Sequence, residues 1–275
     1  MTAATHEDLL NEPYTLSEEQ IAQFAEQGFI KLKDVFSPEV LDHYGKAITD
    51  FVMAKNDLAN IPMEERSTYQ KAFIQISNLW RESDVAREFV FGKRLGRIAA
   101  QLLEVTGVRI YHDQALYKEP SGGFTPWHAD QQYWPLATDR TVTAWVPLHA
   151  ASLDMGPLAF AAGSQNLTEG RDLEISDDSE RIIAEKMENG GFPINERPFD
   201  AGEVSFHLGW TYHRAGPNTT TDPRRIMTVI YMDEDMTLKE PENENQQRDW
   251  EMWCPGAKID EVIDTPFNPV VYSSR

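Results

Sequence analysis

The change of hydrophobic period at Gly107 constrains the fold of this chain more than any other feature. Before Gly107, apolar residues recur at helical spacing in the segments that begin at Ser17 and Pro38. After it, short apolar runs alternate with Gly/Pro turns, beginning with 108–118. Helices followed by many short strands indicate an α+β protein that is mainly β, and the strand spacing favours an antiparallel sandwich or barrel. The mouth of such a barrel is a common place for a buried small-molecule site.

The helical part carries clear start and stop signals. Ser17 followed by Gln20 is a capping box, and Gly28 ends the helix that it starts. Pro38 opens a second helix, and a third, over 95–103, ends before Gly107. We expect residues 1–14 to be a loose tail, 15–275 to form one domain, and 241–275 to be irregular. Two segments, the loop 54–72 and the charged insertion 166–198 with a helix near 179–188, are candidate lids over a site.

Composition excludes some classes of partner. The 275 residues carry a net charge of −20, which argues against nucleic acid because phosphate contacts draw on Lys and Arg. The only cysteine, Cys254, cannot form an intrachain disulfide, which fits a reducing compartment. The N-terminus lacks the basic and apolar regions of a signal peptide, and no apolar run approaches the roughly 20 residues of a membrane span. We expect a cytoplasmic protein that acts on a small molecule without membrane or nucleic acid, as a monomer or small homo-oligomer.

The strongest chemical signal is the His128-Ala129-Asp130 segment. In an extended strand, residues two apart share a face, so the imidazole and the carboxylate point the same way. Two histidines and one carboxylate, with open positions, form the metal-binding face of non-haem Fe(II) oxygenases. Of the other histidines, His213 is a candidate third ligand because we expect it to end a strand, and His207 is its main rival.

Two arginines, Arg224 and Arg225, begin the last strong strand of the barrel region. An arginine that enters a barrel interior needs an anion, because a buried unpaired charge is costly. Its planar fork suits a carboxylate. A metal site combined with an inward arginine suggests a dicarboxylate that spans both, although both arginines pairing with surface acids is the simpler alternative.

Several ordered motifs carry a family resemblance: Gln114–Lys118, His128-Ala129-Asp130, Thr143-Ala144-Trp145, Gly156-Pro157-Leu158 with Gly163-Ser164, and His213–Asn218 followed by Arg224. In this order they resemble the phytanoyl-CoA dioxygenase family of Fe(II)/2-oxoglutarate oxygenases, over about residues 15–275. The resemblance implies a double-stranded β-helix, or jelly-roll, core of the cupin-like type with flanking N-terminal helices. It also implies an enzyme that converts 2-oxoglutarate and O2 to succinate and CO2 while it oxidises a substrate.

The same resemblance assigns roles to individual residues. His128, Asp130 and His213 would bind Fe(II), and Arg224 would bind the distal carboxylate of 2-oxoglutarate, with Arg225 pointing away. The residues that would line the co-substrate pocket are Trp145, Gln114 and, on a looser alignment, Gln75. Some relatives place a serine two residues after the distal histidine, where this chain has Ala215, so that hydrogen bond is either missing or supplied by Thr141 or Thr143.

The carboxylate at position 130 disfavours halogenation, since related halogenases carry a small residue there. Hydroxylation of an unactivated C–H bond is the leading expectation, with desaturation, ring closure and demethylation as alternatives. The candidate substrate contacts are Phe124, Gln131, Trp134 and Arg214, joined by the neighbouring aromatics Trp127 and Tyr133, although the two tryptophans could be core residues. The competing readings of the chain are a metal-dependent hydrolase or isomerase on a cupin-like barrel and a non-catalytic binding barrel.

Overall fold

Six of the eight helices in the computed structural model, which describes residues 5–275, lie before Gly107, and nine of the eleven strands begin at or after it. The helices are α1 His6–Asn11, α2 Glu18–Gln27, α3 Pro38–Lys55, α4 Thr68–Ala72, α5 Asp84–Val90, α6 Lys93–Leu102, α7 Asp177–Gly190 and α8 Glu244–Trp253. The strands are β1 Phe29–Leu32, β2 Ile74–Ser77, β3 Gly107–Lys118, β4 Thr125–His128, β5 Thr141–Pro147, β6 Leu158–Ala161, β7 Ile194–Glu196, β8 Val204–Leu208, β9 His213–Ala215, β10 Arg224–Asp233 and β11 Val270–Ser273. The predicted mixture of helices with antiparallel strands is confirmed.

The strands form two sheets. The larger has the order β1-β8-β5-β10-β3-β11, with β2 pairing alongside β3, and the smaller has the order β4-β9-β6-β7. All the strand pairs within both sheets are antiparallel. The register of the smaller sheet sets His128 directly opposite His213.

The larger sheet separates a helix-covered face from a polar face. In β5, Val142, Ala144 and Val146 belong to the hydrophobic cluster that packs the sheet against α3, α5 and α6. The alternate residues Thr143 and Trp145 line an internal cavity on the other face, as the period of two in a strand requires. The largest hydrophobic cluster therefore lies on the helix-covered side of the sheet, and the other side carries smaller clusters together with the cavity.

The predicted start and stop signals are confirmed for two helices. Ser17 and Gln20 form a reciprocal capping box at the start of α2, and Gly28 ends it with φ of 78°. Ser37 caps α3, whose first residue is Pro38. The predicted helices near 95–103 and 179–188 correspond to α6 and α7.

Two predictions of irregular chain are wrong. The predicted loose tail contains α1, held by a capping box between Thr5 and Asp8 and by the burial of Leu10; residues 1–4 of that tail lie outside the described residues. The predicted irregular segment 241–275 contains α8 and β11. Neither short element has strong periodicity, and tertiary packing stabilises both.

Among residues 5–275, no helix combines the length and apolarity that a membrane crossing requires.

Candidate metal and co-substrate site

The two sheets meet at a cavity of about 580 Å³, and three predicted metal ligands lie on its wall. His128 is the last residue of β4, and the extended backbone of Ala129 (φ −122°, ψ 132°) returns Asp130 to the same side. Asp130 then begins a 3-10 turn rather than continuing the strand. His213 begins β9 instead of ending a strand as predicted, but its pairing with His128 brings the two imidazoles together.

The geometry of these three side chains suits a single ion. Their ligand atoms lie within 4.8 Å of one another, with Asp130 Oδ1 3.6 Å from His128 Nε2 and 3.7 Å from His213 Nε2. The Nδ1 atom of His128 lies 2.7 Å from the carbonyl of Pro126, and that of His213 lies 3.0 Å from the carbonyl of Thr211. Donation from Nδ1 to these carbonyls leaves each Nε2 lone pair free to bind a metal.

The charge states favour metal binding as well. Burial lowers the pKa of both His128 and His213 to about 4, so each imidazole is neutral near pH 7. Burial alone would raise the pKa of the Asp130 carboxyl, but His213 and the hydrogen bond from His207 more than offset it and hold that pKa below its usual range. The set is therefore two neutral nitrogen donors and one carboxylate anion, which is the donor chemistry of a mononuclear Fe(II) site.

The rival histidine, His207, takes a different position. It is almost fully buried on β8, and its Nε2 lies 3.4 Å from Asp130 Oδ2. Thr143 Oγ1 donates to the same oxygen at 3.3 Å. One carboxylate oxygen of Asp130 thus faces the two imidazoles, and the other is held by His207 and Thr143. Thr141, the other candidate donor, instead bonds to Gln131.

Arg224 lies at another part of the cavity wall, at the start of β10. Its side chain is 2% exposed, one Nη donates to the carbonyl of Gly156, and its Nε has no hydrogen-bond partner among residues 5–275. Burial lowers the pKa of the guanidinium to about 9, so it stays charged near neutral pH. Arg225 follows on the opposite face of the strand. The cavity therefore holds a buried cation that lacks an anionic partner within the described part of the chain.

The backbone around Arg224 is tightly packed. Gly156 has φ of 65°, and a Cβ there would lie 2.1 Å from the carbonyl oxygen of Gly216. The buried Nζ atom of Lys118 donates to that same carbonyl at 2.7 Å. Glycine at position 156 thus allows two chain segments to approach each other beside the arginine.

Comparison with known proteins agrees with this arrangement. A family model described as phytanoyl-CoA dioxygenase matches residues 24–226. The chain belongs to the phytanoyl-CoA dioxygenase family. This confirms the predicted resemblance and the predicted reaction class, an oxygenase that depends on iron and 2-oxoglutarate.

Individual relatives are distant. A protein described as a probable alpha-ketoglutarate-dependent hypophosphite dioxygenase, from Stutzerimonas stutzeri, is 22% identical over 226 residues, which cover 78% of this chain and 77% of that protein. The non-haem alpha-ketoglutarate-dependent carbocyclase SnoK from nogalamycin biosynthesis superposes with a TM-score of 0.74 at 23% identity, covering 95% of this chain and 100% of SnoK. EctD from S. alaskensis, solved with 2-oxoglutarate and 5-hydroxyectoine, has a TM-score of 0.70 at 21% identity and covers 93% of this chain and 90% of EctD. At these identities the structural matches show a shared fold.

The residues that the family resemblance placed near 2-oxoglutarate all line the cavity. Trp145 lies beside Arg224, with the guanidinium 5.4 Å from its ring centroid. Gln114 accepts a hydrogen bond from the side-chain amide of Gln75, and Gln75 in turn accepts one from the hydroxyl of Tyr69. These three polar groups form a series of hydrogen bonds along the cavity wall, from Tyr69 on α4 to Gln114 on β3. We call this series the Tyr69–Gln75–Gln114 relay.

The substrate candidates are only partly brought together. Trp134 lines the cavity, and so does its neighbour Tyr133. Phe124 does not, because it lies in a turn with 37% of its surface exposed. Gln131 is buried in the 3-10 turn, where its side chain bonds to Thr141. Neither Phe124 nor Gln131 lines the cavity, and substrate contact at these two residues stays a prediction.

Arg214 is also turned away from the cavity. It follows His213 in β9, so strand alternation directs its side chain to the opposite face. There its guanidinium donates to Glu180 of α7 at 2.9 Å and lies 5.0 Å from the ring centroid of Trp127. Trp127 itself is buried in a cluster against α7. Arg214 and Trp127 thus pack against α7 outside the cavity, and contact between Arg214 and the substrate stays a prediction.

Other residues that line the cavity are not among the predicted site residues. They come from α4, from the segment before α7 and from α8, and they are Tyr69, Glu174, Ile175, Asn245, Arg248, Asp249, Met252 and Trp253. Both candidate lid segments contribute to this set, whereas α8 lies in a segment predicted to be irregular. The sequence signals for α8 are weak: an N-cap residue, Asn243, and the closely spaced tryptophans 250 and 253.

Proposed function

We propose that this protein hydroxylates an unactivated C–H bond of a small molecule, with Fe(II) at His128, Asp130 and His213 and with 2-oxoglutarate held by Arg224. The observation that carries the proposal is the presence of both parts in one cavity. A metal-binding face and a buried guanidinium without an anion line the same space of about 580 Å³. A dicarboxylate that binds the metal at one end and the arginine at the other satisfies both.

The chain fits these groups in its donor chemistry. Two neutral imidazoles and one carboxylate occupy one face of an ion and leave the opposite face open for other ligands. When bound, Fe(II) with 2-oxoglutarate and O2 supplies the oxidising chemistry of the reaction. His207 and Thr143 orient Asp130 through the oxygen that faces away from the two imidazoles. Such supporting hydrogen bonds raise metal affinity by fixing the ligand in one direction.

Arg224 is suited to bind a carboxylate. The aromatic ring of Trp145 and the aliphatic side chains of Leu116 and Leu158 line the cavity with it. An apolar surround strengthens the attraction between guanidinium and carboxylate, because the local dielectric is low. A metal-dependent hydrolase has no need for this anchor, and Arg224 therefore favours the oxygenase over that alternative.

We also infer that the two sheets are those of a double-stranded β-helix and that residues 15–275 form one domain. The support is the antiparallel pairing within both sheets and the metal ligands on β4 and β9 of the smaller sheet. A single hydrophobic cluster contains residues as far apart in sequence as Leu32 and Val271. Such a cluster ties the N-terminal helices and the last strand to the same core.

An anaerobic titration tests the metal and co-substrate assignment. Fe(II) and 2-oxoglutarate together should give a weak visible charge-transfer band, and the His213→Ala variant should lose it. Absence of the band in folded, iron-loaded wild-type protein would reject the proposal. Succinate formation measured across a panel of amino acids, acyl-CoAs and small metabolites then identifies the substrate, and mass spectrometry of the product, showing one added oxygen atom, distinguishes hydroxylation from desaturation.

A further inference from the structure

The outer part of the cavity has aromatic walls. Tyr69, Tyr133, Trp134 and Trp253 line it, together with His112. Several contacts fix these rings in place: His112 stacks on Trp253 with ring centroids 4.3 Å apart, and the Tyr133 hydroxyl accepts the backbone N–H of Ile175 at 2.9 Å. Aromatic faces carry partial negative charge and attract cations. Fixed rings attract a bound cation without an ordering cost.

Two carboxylates of this region, Glu174 and Asp249, form no ion pair with any of residues 5–275. Glu174 accepts a hydrogen bond from Asn245 at 2.6 Å, and the exposed Arg248 donates to the same asparagine. Asp249, on the cavity side of α8, forms no ion pair with any of residues 5–275, and its carboxyl interacts with the indole of Trp253. Burial keeps the pKa of His112 at about 4, so that imidazole adds no positive charge.

The local environment makes an ionised Asp249 costly unless a cation arrives. Burial raises the pKa of its carboxyl to about 7, and the charge of Arg248 and the hydrogen bond from Trp253 only partly oppose this. A positively charged ligand placed against the carboxylate would recover the energy lost on desolvation. The aromatic walls and the carboxylate therefore favour the same kind of ligand.

We propose that the substrate carries a positively charged nitrogen, which binds between Asp249 and the rings of Tyr69, Tyr133, Trp134 and Trp253. This inference rests on the proposed function, because it assigns the substrate class of the same cavity. Such a substrate is a small amine or quaternary ammonium compound whose cationic end lies at α8 and whose reacting carbon faces the metal-binding residues.

Pairs of molecules that differ only in charge provide the test. Choline and 3,3-dimethylbutan-1-ol have the same shape, and so do alkylammonium ions and the corresponding neutral alcohols. Each is titrated anaerobically into protein loaded with Fe(II) and 2-oxoglutarate, and binding is followed by the fluorescence of the tryptophans, three of which line the cavity. We expect the better cations to bind at least tenfold more tightly than their neutral partners.

Variants then locate the effect. Asp249→Asn should reduce the preference for cations to less than about threefold, and Arg248→Gln should increase it, because it removes a positive charge from the rim. Glu251→Gln is the matched control, since Glu251 is an exposed carboxylate of the same helix that bonds to Gln247. It should leave the preference unchanged.

The outcomes separate this inference from the proposed function. If 2-oxoglutarate raises the melting temperature of the iron-loaded protein but no cation binds more tightly than its neutral partner, the substrate class is refuted and the oxygenase assignment stands. An unchanged preference in folded Asp249→Asn also refutes it. If 2-oxoglutarate stabilises neither wild type nor Asp249→Asn, the proposed function itself fails.

Discussion

Replacing Arg224 by methionine should weaken 2-oxoglutarate binding without harming the fold. The guanidinium is buried, donates to the carbonyl of Gly156 and has no carboxylate partner among residues 5–275. Methionine fills a similar volume and removes the uncompensated charge. Replacement of a buried ionic group by an apolar one of similar size is often neutral or stabilising. The protein without 2-oxoglutarate should therefore melt at the same temperature as wild type or higher.

The loss of affinity can be estimated from the interaction that disappears. A buried charged hydrogen-bonded pair that loses one partner costs about 3 kcal/mol or more, which corresponds to at least roughly 100-fold in dissociation constant. At 2-oxoglutarate concentrations near 100 times the wild-type constant, wild type gains about 2.7 kcal/mol of stability. That gain raises the melting temperature by about 5–10 °C, and the variant should lose most of it.

Differential scanning fluorimetry with and without 2-oxoglutarate, in the presence of Fe(II) under nitrogen, measures both effects. Arg225→Met is the matched control, because Arg225 is the next residue on the same strand but faces the helices. The control should keep the wild-type shift. The reasoning is refuted if Arg224→Met binds iron yet retains the full 2-oxoglutarate shift, or if Arg225→Met loses it to the same extent.

Substitutions at three further residues test other parts of the structure. His207→Leu should weaken Fe(II) binding by about 10- to 100-fold in chelator competition, and His207→Gln should restore part of it by donating again to Asp130. Gly156→Ala should lower the free energy of unfolding by several kcal/mol in urea titrations, or abolish folding, since its Cβ would meet the Gly216 carbonyl and φ is positive; an unaltered unfolding midpoint would contradict the close approach. For Asp113, burial raises the carboxyl pKa to about 7 although Leu79 and Trp80 donate N–H groups to it. Because the pKa of Asp113 is higher in the folded than in the unfolded state, its contribution to the free energy of unfolding is complete below about pH 4 and is lost as pH rises through 7. Over that range the wild type should lose on the order of 3 kcal/mol of unfolding free energy relative to Asp113→Asn. Parallel pH profiles of unfolding free energy for the two proteins would contradict this.

The shared direction of His128 and Asp130 could be predicted because it depends on a local rule, whereas the choice of His213 over His207 depends on strand pairing. The spacing of His128 and Asp130 needs only one extended residue between them, and strand alternation separates Arg224 from Arg225. Strand alternation also applies to Arg214, which follows the cavity-facing His213 and therefore faces away from the cavity. Its exclusion from the cavity was thus readable from the sequence.

The outer cavity could not be predicted from local rules. Helix α8 has the sequence ENQQRDWEMW, in which polar residues dominate and helical periodicity is weak. Its position depends on contacts with distant residues, such as the bond from Gln246 to the carbonyl of Gln132. Asp249 therefore gains its environment only after the chain has folded, and no spacing in the sequence identifies it.

The Tyr69–Gln75–Gln114 relay has a fixed direction. A phenol hydroxyl that donates to the oxygen of Gln75 leaves the nitrogen of that amide to donate to the oxygen of Gln114. The nitrogen of Gln114 must then present its hydrogens to the cavity, as a donor for a carboxylate. The hydroxyl of Tyr69 on α4, a helix in a candidate lid segment, thereby determines which atom of the Gln114 amide faces the cavity. A displacement of α4 would remove the hydrogen bond from Tyr69, and the amide of Gln75 could then rotate. The position of α4 would therefore determine whether Gln114 offers N–H donors to the cavity.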